Sequence, residues 1–545
     1  MIIADTLILG NILTYNLDRL YVEAMAVKNG KILYLGSEKQ ARKLCDGNTK
    51  VLDYSKATIY PGFMDAHCHG LLAGTRLAFE CDLNPGQSME DYCNILSEYI
   101  KKYPDRRCYK GAGWVQYEEP LASMLDKVCP DKPVILNSAD AHSMWLNTKA
   151  MEECGYDSDY AKKMGHEIVH VDENGNPSGL VCEAGTAAAR ALYPYTVEEL
   201  KEAILAWQDF AFSRGYTETG EALLDVFEGG AEAYHQLDME GKLKLNTFAY
   251  PSCKEEFAAK NYEAMPAKIK EMQEKYNGEH FTVAGHKIIL DGVVEARTAY
   301  YDKDYEDEPG YHGVLNIKDQ EVLDKIVLLM NEAGIPVHTH AIGDGAVRMT
   351  LDAYEKAELA TGNYDIRNII CHLQSVHTED FDRFADNNVV AVVAPLWSPN
   401  EDGYFEKELK YLGKERAWNA YPIKSFSKAG VTICFHSDYP VSPNIDPALS
   451  IYTAVKRKMP DAGPYSVKNP DEGISVLQAI VASTYSCAYM WRVYDQVGKF
   501  AIGMRADCTV FDKDFFTEED LSEVAETKLV ATIVNGEEVF RAQQT

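Results

Sequence analysis

The chain has 545 residues, 46% of them hydrophobic, which is ample for a large buried core and for roughly two to four domains. It carries 84 Asp plus Glu against 54 Lys plus Arg, a net charge of −30. A surface of that sign repels phosphate backbones and anionic lipid, so neither nucleic acid nor membrane is an expected partner.

The opening stretch MIIADTLILGNILTYNLD has no basic n-region, and Asp5 interrupts its apolar run, so a signal peptide is not expected. No run of 18 apolar residues occurs, and no transmembrane helix is expected. The 13 cysteines show no C-x-x-C spacing. They read as reduced thiols in a cytoplasmic protein.

Residues 1–60 read as short strands with turns, and Asn29-Gly30 between two alternating apolar runs is a hairpin signal. The far end reads alike, with Asn535-Gly536 as a second hairpin turn. The two ends, 1–60 and 498–545, are expected to build one β-sandwich domain. The middle, 61–497, alternates strand candidates with helical stretches. The candidates are ATIYPGFMDAH, TETGE, LKLNTFAY, HKIILD, IPVHTH, RNIICHL, VVAVVAP and VTICFHSD. From Asp319 to Ala333, Val322, Leu323, Ile326, Val327 and Met330 recur at helical spacing. Eight strands alternating with helices predict an α/β fold, a (β/α)8 TIM barrel. An open doubly wound sheet is the alternative, and no G-x-G-x-x-G follows the early strands to support it. The stretch at about 72–190 is too long for a βα connection and reads as an insertion subdomain near the barrel mouth, with KPVILNSADAHSMWL as a strand of its own.

In such barrels the chemistry sits at the C-terminal strand ends. His67 and His69 end the first strand two residues apart, on one side of an extended segment. Lys287 lies in the fourth strand, His340 ends the fifth, His372 the sixth and Asp438 the eighth. A lone strand histidine is an ordinary hydrogen-bonding residue, and an Asp at a strand end is commonly a helix cap. Recurrence at the same end of successive strands points instead to a site for zinc or a similar divalent ion.

PGFMDAHCHG resembles the P-G-x-x-D-x-H-x-H signature of the amidohydrolase superfamily. GAGWVQ, PDKPVILNSADAHSMWLNTKAM, HKIILDGVVEARTAY, VHTHAIGDGAV, CHLQSV, HSDYPVSPNIDPALSIYTAVKR and GKFAIGMRADCTVFDKD follow in the order seen in amidohydrolase family 3. That branch includes YtcJ-like proteins and N-substituted formamide deformylases. The resemblance implies a C–N bond hydrolase with one or two divalent metals, zinc foremost, acting on a small molecule. It implies His67, His69 and Asp438 at one metal, His340 and His372 at a second, and a possible carbamate on Lys287 bridging them. Asp438 would also be the catalytic acid–base group, taking a proton from a metal-activated water and passing it to the departing nitrogen. His338 would be a supporting group or a substrate contact. His436 stands where the family more often has Gly, and His377 falls outside the metal shell. Substrate-binding candidates are Trp114, Gln116, Asp140, His142, Glu183, Arg297 and Trp397; for Arg297 an ion pair holding its own loop is an equal reading. The expected assembly is a homodimer. A deaminase of an aminated heterocycle is the rival function, disfavoured because Ala-Ile-Gly-Asp follows His340 where a His-x-x-Glu acid would stand. A non-catalytic homologue is the third, disfavoured by the complete ligand set.

Overall fold

The computed structural model describes residues 2–15, 19–138, 143–399, 404–460, 467–516 and 522–543. Two compact units emerge. One is built from Met1–Gly70, Gln208–Val226 and Gly230–Thr545, the other from Leu71–Trp207 with Phe227–Gly229.

In the larger unit the eight expected strands form a parallel series. They are Phe63–Cys68, Tyr216–Glu221, Asn246–Ala249, a fourth in two pieces (Phe281–Val283 and His286–Ile289), Val337–Ala341, Ile369–His372, Val390–Val393 and Ile433–Phe435. Neighbours pair in parallel from one to the first half of four, and from the second half of four to eight. Backbone hydrogen bonds close both seams. Lys287 N donates to Pro251 O at 2.9 Å, while Asp438 N donates to His67 O at 3.0 Å and His69 N to Tyr439 O at 2.8 Å. The result is a (β/α)8 barrel whose strands are buried almost throughout, as a parallel sheet covered on both faces requires. The predicted amphipathic helix spans Gln320–Glu332. It is capped by Asp319, which accepts from Glu321 N, and it buries Leu323, Ile326, Val327 and Met330.

Both ends of the chain share one seven-stranded sheet. Lys50–Pro61 pairs parallel with Thr6–Leu13 and antiparallel with Cys508–Phe511, which joins the N-terminal strands to the C-terminal ones. Asn29 and Gly30 have φ of 49° and 73°, Asn535 and Gly536 51° and 74°. Two successive positive φ values are what a two-residue type I′ hairpin needs. The two turns meet at Ala506, whose N–H donates to Gly30 O and whose carbonyl accepts from Gly536 N. One core cluster takes Ile8, Met25 and Leu52 together with Val510 and Ile533, so residues from both ends of the chain share one buried core.

The smaller unit holds a six-stranded sheet, running in spatial order Val169–Val171, Pro177–Cys182, Ser143–Leu146, Val134–Ser138, Tyr109–Trp114 and Glu80–Asp82. The segment read as one strand is an antiparallel pair, Val134–Ser138 with Ser143–Leu146. Asp140 and His142 lie between them, outside the described residues. No helix among the described residues is long and apolar enough to cross a membrane.

Arg505 fastens the terminal sheet to the barrel. Its Nε donates to Asp507 at 2.8 Å, its Nη1 to Asn246 Oδ1 at 3.0 Å, and its Nη2 to Glu218 of the second strand. Both carboxylates are buried. Arg505→Ala leaves them uncompensated and is expected to cost about 3–5 kcal/mol of unfolding free energy. Denaturant titration checks this; a midpoint shift worth less than about 0.5 kcal/mol, the range of ordinary surface substitutions, would contradict it.

Candidate active site

The centre of the site is Asp438. Its Oδ1 lies 3.2 Å from Nε2 of both His67 and His69. Strand one carries His67 and His69 at alternate positions, so both side chains leave the same side. Strand eight ends at Phe435 and turns at Asp438, which has a φ of 58°. The left-handed region is uncommon for a side-chain-bearing residue, with Asp and Asn enriched in it. Ser437 holds the turn, its N–H and hydroxyl both donating to buried Asp65, which also accepts from His67 N. These bonds favour the Asp65 anion, but burial outweighs them and pushes its carboxyl up to about 7.

Around this triad the other strand ends deliver imidazoles. The His372 ring lies 4.9 Å from His67 and 4.4 Å from His340, centroid to centroid. His372 and Leu373 both take positive φ, 80° and 52°. His340 donates through Nδ1 to Asp291 Oδ1 at 3.1 Å, which leaves its Nε2 for the site. His67 Nδ1 bonds His338 Nε2 at 2.9 Å, so His338 supports His67 from behind. Lys287 is buried in strand four, and its ammonium donates to Cys371 Sγ at 3.5 Å. Burial holds His67, His338 and His372 well below the usual imidazole range and His436 down to about 4, so these rings are neutral, the form that can donate a lone pair. Asp438 goes the other way. Burial raises it, but the His69 hydrogen bond and the neighbouring imidazoles overcome that and hold it below the usual carboxylate range.

The nitrogen and oxygen donors suit a divalent ion. Donor atoms of His67, His69 and Asp438 lie within 4.8 Å of one another. Nδ1 of His372, both nitrogens of His436 and Nδ1 of His338 are buried with no hydrogen-bond partner among the described residues. Buried polar atoms are rarely left so.

Of the substrate candidates, Trp397 is at the site, stacked on His372 at 5.4 Å with a 12° interplanar angle. Arg297 is held in its own loop by Glu308 at 2.6 Å and Asp307 at 3.3 Å. Trp114 packs in the core of the smaller unit, its indole N–H donating to Leu136 O at 2.8 Å, while Gln116 and Glu183 of that unit are exposed. His377 pairs with Asp302 at 2.9 Å. Asp65 and Asp291 were not singled out from the sequence. Asp65 is the acid of D-x-H-x-H, and Asp291 stands four residues past Lys287 at its strand's end.

Asp291 also accepts from Tyr300 N at 3.0 Å, Ile342 N at 3.0 Å and Gly343 N at 2.9 Å. Asp291→Ala strips all three amides of their acceptor, at about 1–3 kcal/mol for each group left unpaired. Hydrogen exchange there should accelerate by about tenfold or more, that energy expressed as local opening. Unchanged protection over 300–343 would contradict the assignment.

A family model described as the amidohydrolase family matches residues 50–540. Protein LONG AFTER FAR-RED 3 of Arabidopsis thaliana is 27% identical, covering 99% of this chain and 92% of its own. The N-substituted formamide deformylase of Arthrobacter pascens is 24% identical, covering 98% of each chain. Among solved structures, an uncharacterized metal-dependent hydrolase from Pyrococcus horikoshii superposes with a TM-score of 0.76 at 24% identity, over 94% of this chain and 98% of that one. The chain belongs to the amidohydrolase family.

Proposed function

We propose that the protein is a metal-dependent hydrolase that cleaves a carbon–nitrogen bond, an amide, formamide or related bond, in a small molecule. The observation that carries this reading is the convergence of His67 and His69 on one oxygen of Asp438, beside buried imidazole nitrogens of His338, His372 and His436 that have no hydrogen-bond partner among the described residues. His67, His69 and Asp438 would hold one divalent ion, zinc in this reading, and His340 and His372 a second. A carboxylated Lys287 would add an anionic oxygen ligand between them. A bound divalent ion lowers the pKa of water toward about 7 and polarises a carbonyl. Similarity to a formamide deformylase supports a C–N bond as the target. We place the enzyme in the cytoplasm as a homodimer.

The chain's own residues do the rest. Asp438 stays ionised, so it can accept the proton of the attacking water and return it to the leaving nitrogen. His338 and Asp291 fix the rings of His67 and His340. Trp397 offers an indole face to an apolar part of the substrate. Gln116, Asp140, His142 and Glu183 are the polar candidates of the insertion, and Arg297 a candidate carboxylate binder once released from Glu308.

Two variants test this. His67→Ala should lose the metal held with His69 and Asp438, read by elemental analysis; full metal content with full activity would refute the ligand assignment. Asp438→Asn suits the left-handed backbone, keeps an oxygen for the ion and cannot take the proton. Against a panel of N-formyl and N-acyl amines its kcat should fall by about 10²–10⁴-fold with metal content unchanged. Turnover within about threefold of the parent at equal metal content would contradict the acid–base role, because that margin is far below the expected contribution.

A further inference from the structure

We propose that the smaller unit carries a ligand site of its own, built for a small aromatic anion, a ring bearing a carboxylate or a phosphate. The site is a cavity of about 220 Å³ whose lining includes Phe79, Arg106, Arg107, Lys110, Tyr193 and Tyr195. A cavity of about 150 Å³ already admits benzene, so one ring with its charged group fits. Arg106 and Arg107 lead into strand Tyr109–Trp114, Lys110 stands near its start, and Tyr193 and Tyr195 precede helix Val197–Phe212. Gln116, the substrate candidate of that region, follows the other end of the same strand. The cavity is therefore a place apart from the candidates named for the catalytic site.

Three cations share this small cavity in a chain of net charge −30, and they hold donors in reserve. Arg106 spends only Nη2, on Ala78 O at 3.0 Å and Glu202 at 3.2 Å. Arg107 also spends only Nη2, on Pro194 O and on Glu199 at 2.9 Å. Nε and Nη1 of both arginines make no hydrogen bond among the described residues. Lys110 donates once, to Tyr193 O at 3.1 Å, which leaves two ammonium protons. Burial lowers Lys110 from the usual lysine range despite Cys108 and Glu80 beside it, so an added anion there is favourable. The acids of the lining leave these donors open. Glu199 Oε2 is committed to Arg107 and to the N–H and hydroxyl of Thr196, and Asp105 is exposed to screening by water. A guanidinium fork matches a carboxylate or phosphate. The rings supply the rest: Arg106 lies 4.2 Å over Phe79, Arg107 5.4 Å over Tyr193 and Lys110 4.5 Å over Tyr195. Each charge stands on a flat aromatic surface, and a ligand that is both planar and anionic uses both.

The test titrates the full chain with phenyl phosphate by calorimetry, beside inorganic phosphate and benzyl alcohol, which each carry half of the ligand's chemistry. Phenyl phosphate should saturate below about 1 mM, and each half-ligand should bind at least about tenfold more weakly. Arg107→Gln and Lys110→Met each remove a charged donor and should weaken phenyl phosphate by about tenfold or more. Hydrogen exchange locates the ligand in the parent without any substitution: amides over 105–110 and 193–199 should slow. Failure to saturate by about 1 mM, or a half-ligand that binds as tightly, overturns the proposal. Protection confined to the barrel strand ends, 67–69 and 436–438, marks binding at the catalytic site and overturns it too. So do folded variants that bind within about threefold of the parent. Should either variant fail to fold, the exchange map of the parent decides.

Discussion

One carboxylate oxygen shared by two imidazoles is the contact on which the site depends. Asp438 Oδ1 faces His67 Nε2 and His69 Nε2 at equal distance, and this happens only where strand eight closes on strand one. The same few residues make both the seam and the site. Asp438 N bonds His67 O, His69 N bonds Tyr439 O, and Ser437 is clamped by Asp65. Barrel closure therefore sets the ligand geometry directly. It is not left to flexible loops.

The cost of that arrangement is visible in the backbone and in the polar atoms. His372, Leu373 and Asp438 all adopt positive φ within or beside the cluster. Sparsely populated conformations of this kind cost about 1–3 kcal/mol each and persist only where the surroundings over-determine them. Here the surroundings are the buried hydrogen bonds of Asp65 and Asp291 and the indole of Trp397 laid over His372. Several buried imidazole nitrogens have no partner among the described residues. A fold selected for stability alone would fill such positions with apolar side chains, because each unpaired buried polar group is unfavourable. Lone pairs held neutral and aimed together make sense as a site that receives a cation.

Much of this was legible in the sequence because it rests on short-range rules. Alternation placed His67 and His69 on one side, the Asn-Gly pairs marked both hairpins, and apolar runs located the eight barrel strands. What escaped depends on partners far apart in the chain. Asp65 meets Ser437 across 372 positions and His67 meets His338 across 271, and no local pattern carries such pairings. Lys287 was read as the strand-four position of a possible carbamate, and its thiol neighbour Cys371 comes from strand six. The antiparallel pair Val134–Ser138 and Ser143–Leu146 was read as a single strand because no Gly or Pro stands anywhere from Val134 to Leu146. Strand four is broken after Val283, ahead of Gly285, where an added Cβ would meet Pro336 O at 2.5 Å.

Anomalous diffraction at the zinc edge, from crystals of zinc-loaded protein, tests the central claim most directly. The predicted result is a peak within about 2.0–2.2 Å of His67 Nε2, His69 Nε2 and an oxygen of Asp438. Fully loaded protein whose zinc lies elsewhere, with the three side chains free of metal, would contradict it.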